Sequence, residues 1–169
     1  GKVELRDGKL EVTNILTLDN VTKVNGNIYF NGSVYVRGEI GDGVEIKAAK
    51  DIIVDGFTGA AVLEAGGDIM LKKGNNPGGK GYIKAGNDVM GSFFENARVF
   101  AGRNMKANYC LNSEVYADKE IEISGEVGML AGGSIYAGEI VRSHYIGNEA
   151  TIPTMIKVGK EEQYMKAKK

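Results

Sequence analysis

The chain holds 169 residues, 43% of them hydrophobic, with 25 glycines and 2 prolines, and its 21 Lys plus Arg nearly cancel its 22 Asp plus Glu for a net charge of −1. That length suits one domain with a real core, and the ordinary apolar share excludes a disordered or collagen-like chain. Balanced charge offers no pull toward nucleic acid, and the longest apolar run, Ala60-Ala61-Val62-Leu63, is far short of the ~20 residues of a membrane helix, so neither nucleic acid binding nor membrane insertion is expected.

In chain order, residues 1–23 read as a β-rich N-terminal cap: Val3-Glu4-Leu5 and Leu10-Glu11-Val12 flank Asp7-Gly8, a pair suited to a hairpin turn. Gly1 in place of Met reads as a tag remnant, which makes the chain a domain cut from a longer protein. Residues 24–159 carry a repeat. Alanines recur at Ala48, Ala65, Ala85, Ala101, Ala117 and Ala131, in steps of 17, 20, 16, 16 and 14 residues. Two positions before each stand Ile46, Leu63, Ile83, Val99, Val115 and Met129; four after stand Ile52, Ile69, Val89, Met105, Ile121 and Ile135.

Apolar residues two apart mark strands rather than helices, and Gly66-Gly67-Asp68, Gly86-Asn87-Asp88, Gly102-Arg103-Asn104 and Gly132-Gly133-Ser134 between them suit corners. The expected fold is an all-β, right-handed parallel β-helix of about sixteen residues per coil, its lumen filled by those twelve apolar residues. A left-handed hexapeptide helix fits poorly, because the observed steps are not multiples of six. Past Pro153, Met155–Val158 offers a last strand, and residues 160–169 are charged and helix-prone, the start of a truncated helical segment or a disordered tail.

Three runs carry a family resemblance: Gly26-Asn27-Ile28-Tyr29-Phe30-Asn31-Gly32-Ser33-Val34, Phe93-Phe94-Glu95-Asn96-Ala97, and Ala131-Gly132-Gly133-Ser134-Ile135-Tyr136-Ala137. With Ala65-Gly66-Gly67-Asp68-Ile69 and the closing Ile156-Lys157-Val158-Gly159, their order resembles the β-solenoid domain of the bacterial flagellar assembly protein A (FapA) family. The resemblance covers residues 1–159. It implies a non-catalytic solenoid within a longer cytoplasmic protein, followed by a coiled-coil region and linked to polar flagellar assembly through protein contacts. It supplies no catalytic residues.

Chemistry-bearing residues have plainer readings beside the sharper ones. Asp51, Asp68 and Asp88 recur three after their alanines, so stacked coils bring their carboxylates near the ~5 Å spacing of a retaining glycosidase pair. The plainer reading is a column of corner residues bonding backbone amides. Gly74-Asn75-Asn76-Pro77-Gly78-Gly79-Lys80-Gly81 has the G-x-x-x-x-G-K spacing of a phosphate loop, but Gly81 stands where a hydroxyl should and a strand follows instead of a helix. It reads as an insertion, with Asn75, Asn76, Pro77 and Lys80 as candidate partner contacts. His144 is the only histidine and reads as a surface or corner residue; Cys110, the only cysteine, reads as a small buried hydrophobe, and together they fall short of a zinc site.

Asn96 and Asn112, sixteen apart, suggest an asparagine ladder, and Tyr29, Tyr35, Tyr116 and Tyr136 an aromatic stripe. The expected function is therefore non-enzymatic: a cytoplasmic scaffold without cofactor, metal or catalytic site. It contacts flagellar, polar or signalling proteins and has homo-oligomerisation open to it. Two alternatives stand beside it, a carbohydrate-active β-helix using Asp51 and Asp68, and a filament unit stacking solenoid ends.

Overall fold

The computed structural model describes residues 2–6, 9–147 and 152–159, with side chains from Asn14 onward except Asn25. Strands Lys2–Arg6 and Lys9–Thr13 pair antiparallel, Arg6 opposite Lys9. The Asp7-Gly8 turn and the 160–169 segment lie outside the described residues.

Every other strand belongs to one parallel stack with three walls. On the first wall, Ile28, Ile46, Leu63, Ile83, Val99, Val115, Ile135 and Ile156 stand in successive register, in steps of 18, 17, 20, 16, 16, 20 and 21 residues. The stack therefore has about eight turns of roughly eighteen residues, longer than the sixteen expected, because loops and corners between the strands differ in length. On the second wall, Leu16, Val34, Ile52, Ile69, Val89, Met105, Ile121 and Val141 are in register. The stack thus takes in Ile15–Leu18, ahead of the residue-24 boundary expected for it.

The third wall begins as isolated parallel bridges linking Val21, Ile40, Thr58, Asn75 and Phe94. It continues through Cys110, Leu130 and Ile146 once the strands lengthen. In the strands alternate side chains point inward, so the burial pattern of Glu45–Ala48 or Val62–Ala65 alternates half-buried with buried. Of the expected lumen residues, Ile46, Ile52, Leu63, Ile69, Ile83, Val89, Val99, Met105, Val115, Ile121 and Ile135 are all at most 3% exposed.

Met129 is the correction. Ala117 stands opposite Ala137, and Ala131 opposite Leu111, so the sixth alanine of the column is Ala137. Met129 lies beside Tyr109 and is half-buried, its neighbour Leu130 filling the lumen. Ile135 consequently occupies the position two before Ala137, and Val141 takes the place four after it, in register with Ile121.

Two polar residues interrupt the third wall. Thr58 is 3% exposed with its hydroxyl lacking a partner, and Asn75 is 1% exposed, donating through Nδ2 to the Thr58 and Gly59 carbonyls at 3.0 and 3.1 Å. A buried hydroxyl without a partner is a net loss relative to a methyl of the same shape. Thr58→Val is expected to raise stability by about 1 kcal/mol, or the melting temperature by roughly 3 °C, in a calorimetric scan.

Candidate functional surface

The acidic column at the corner is a hydrogen-bond ladder. Ser33 Oγ accepts from the Asp51 amide at 3.2 Å, Asp51 Oδ1 from Asp68 at 2.8 Å, Asp68 Oδ1 from Asp88 at 3.0 Å, and Asp88 Oδ1 from Asn104 at 3.1 Å. Each side chain therefore satisfies a corner N–H one turn further on, which strand pairing alone leaves open. Asp42 Oδ1 and Asn108 Oδ1 do the same for Ala60 and Val127. These carboxylates already serve as structural acceptors, as the plainer reading holds.

The 74–81 loop places its candidates unequally. Asn75 and Pro77 are buried, so the expected four-residue contact loop narrows to Asn76 and Lys80, both exposed. Asn76 Oδ1 accepts from Asn96 Nδ2 at 3.3 Å, which makes the asparagine contact run from 96 down to 76. Asn96 and Asn112 hold equivalent left-handed corners, with φ of 53° and 49°, and Gly132 stands above them at 72°. His144 is exposed on the last described turns.

Cys110 sits between Phe94 and Leu130 in the lumen, 1% exposed, where burial pushes its thiol up to about 12 despite a hydrogen bond with Ser113 that acts the other way. At pH 8 it stays protonated and shielded. Ellman's reagent is expected to find no reactive thiol in the native protein and one after unfolding in guanidinium; a native-state reaction would displace Cys110 from the lumen.

Exposed side chains form columns too. Tyr29, Lys47, Glu64, Lys84, Phe100, Tyr116 and Tyr136 follow one another along the outside of the first wall, whereas Tyr35 faces out from the second. The expected tyrosine stripe thus loses Tyr35, whose hydroxyl donates to Asp55. Tyr116 and Tyr136 stack with centroids 4.7 Å apart, and Tyr82 meets Phe100 edge-on at 6.5 Å. On the third wall Phe93 stacks on Tyr109 at 5.1 Å and lies over Gly74, where a Cβ would come within 2.5 Å of its ring.

Beside the first column runs a groove. One stretch of about 640 Å³ is lined by Tyr29, Lys47, Glu64 and Lys84, and another of about 580 Å³ by Tyr82, Lys84, Arg98, Phe100 and Tyr116. The two share Lys84, Ala85 and Gly86, so they are continuous. Its floor is the alanine column with Gly66, Gly86 and Gly102 beside it. Those glycines are demanded by stacking: a Cβ on Gly86 or Gly102 would lie 2.2 or 1.9 Å from the carbonyl oxygen of the glycine one turn below.

Within the groove, Glu64 accepts from the Tyr82 hydroxyl and pairs with Lys47 at 3.7 Å, holding the Lys47 ammonium above its ordinary pKa. Arg98 pairs with Glu114 at 3.2 Å and lies over Phe100. Lys84 has no side-chain hydrogen bond or ion pair among the described residues, nor do Arg103 and Lys119, which follow one another on successive turns at the adjoining corner. The alanine spacing predicts the floor, but Lys84 and Phe100 go unnoticed in the sequence, since they lie on successive turns. The signal present was the residue immediately before each alanine.

Among the described residues no group of three or more His, Cys, Asp or Glu is placed to hold a metal ion, and no helix is long and apolar enough to cross a membrane. The family model described as the Flagellar Assembly Protein A beta solenoid domain matches residues 14–169. Comparisons with curated proteins and with solved structures returned no match.

Proposed function

The chain belongs to the Flagellar Assembly Protein A β-solenoid family, and from that premise we propose that it is a non-enzymatic scaffold for flagellar assembly, working in the cytoplasm through contacts with other proteins. The observation that supports this most is the acidic ladder. Asp51, Asp68 and Asp88, the residues best placed by spacing for carboxylate chemistry, each hold a backbone amide of the next turn. What remains open to partners is a rigid surface of repeated columns, the usual binding device of solenoids.

Two chromosomal variants in a flagellated host test the reading. Replacing residues 14–159 by a flexible linker is expected to abolish or misplace flagella. Asp51→Asn with Asp68→Asn keeps a carbonyl acceptor at each rung and is expected to leave flagellation unchanged. Normal flagella after the deletion overturn the assembly role. Lost flagella in a folded double Asn variant would move the function to the carboxylates.

A further inference from the structure

We propose that the groove along the first wall seats an extended, acidic, aromatic-bearing segment of a partner protein. This deepens the scaffold reading and rests on it in taking the partner to be protein. From Tyr29 to Tyr116 the lining takes in six rungs, whose five spacings make about 24 Å and match roughly seven residues of extended polypeptide. Three features select the chemistry.

Lys84 in the lining and Arg103 and Lys119 at the adjoining corner are exposed cations with no ion pair among the described residues, in a chain whose net charge is −1. Such unpaired charges in and beside a groove steer and orient an anionic segment rather than stabilise the fold. Beside Lys84, half-buried Tyr82 and Phe100 present ring surface near Ala85 and Ala101, which accepts apolar side chains that a phosphate backbone or uronic acid chain lacks. Above Gly102 the same column carries Asp118, an exposed carboxylate that repels an anion, so the acidic part of the occupant belongs lower, at Lys84 and Arg103.

A fluorescein-labelled random Glu/Tyr copolymer is the probe, titrated by anisotropy into the whole chain. Saturable binding is expected, weakened by about tenfold in Lys84→Glu with Arg103→Glu and unchanged in Lys73→Glu, an exposed position just past the second-wall strand Ile69–Leu71. The substituted positions are exposed, and matching thermal melts establish that all variants fold. Absence of saturable binding overturns the proposal. So does equal loss in Lys73→Glu, or binding of oligo-dT or heparin as tight as that of the copolymer, which would mark a general polyanion surface. The two readings fail separately: flagella lost on deletion of the solenoid but intact in the double charge reversal would keep the assembly role and remove this groove from it.

Discussion

Ile69→Asp is expected to leave no folded solenoid at all, with the β-sheet circular dichroism signal collapsing and no cooperative urea transition remaining. Ile69 is 0% exposed and stands in the second wall between Ile52 and Val89. Its replacement removes about 2 kcal/mol or more of apolar burial and places a carboxylate where nothing can pair with it, at a penalty of several kcal/mol. Total stability of domains this size is about 5–15 kcal/mol, so one site consumes most of it. The solenoid amplifies the damage, because each turn contacts only its neighbours and a broken middle turn separates the two halves. Val99→Asp, in the first wall, is expected to act alike. Lys80→Ala, on an exposed loop, is expected to shift stability by less than about 0.5 kcal/mol. A cooperative urea transition retained in Ile69→Asp would turn that column outward and dismantle the register.

Two walls were legible in the sequence because their inward residues are uniformly apolar and two apart. Ile46 with Ala48 and Ile52 with Val54 repeat in the same relation on turn after turn, and a corner glycine or acid separates each pair. The last unit was misregistered for a physical reason. Ala131-Gly132-Gly133-Ser134 imitates the corner after Ala65, but residues 129–131 form part of the third wall, and a twenty-residue turn carries the true partner of Ala117 on to Ala137. The third wall itself has no uniform apolar signature in its first half, where Thr58 and Asn75 follow Val21 and Ile40 in the lumen and only single bridges hold the rungs together. Its neighbours tolerate polar side chains because Asn75 finds two carbonyls from the turn below. The groove was less legible still. It is a property of stacking, made where glycines let one turn's backbone approach the next, and no single repeat contains it.

That dependence on stacking also makes lumen residues compensate one another across the coil, and Gly91 with Phe94 is the strongest case. The second-wall column reads Val54, Leu71, Gly91, Ala107, and only at Gly91 is there no side chain to fill the lumen. Phe94, fully buried in the third wall, fills that space: a Cβ on Gly91 would lie 2.7 Å from its ring. Phe94→Ala is expected to cost about 4 kcal/mol, since the ring fills a close-packed interior that cannot collapse between fixed rungs. Gly91→Ala alone is expected to cost about 2 kcal/mol from overpacking. Combined with Phe94→Leu, however, the added methyl enters room that the smaller side chain vacates. The double variant is then expected to be about 1 kcal/mol or more better than the sum of Gly91→Ala and Phe94→Leu, a coupling that urea unfolding of the three variants and the parent protein measures. Strict additivity would mean that ring and glycine do not share the space, and that the turn carrying both is built around some other contact.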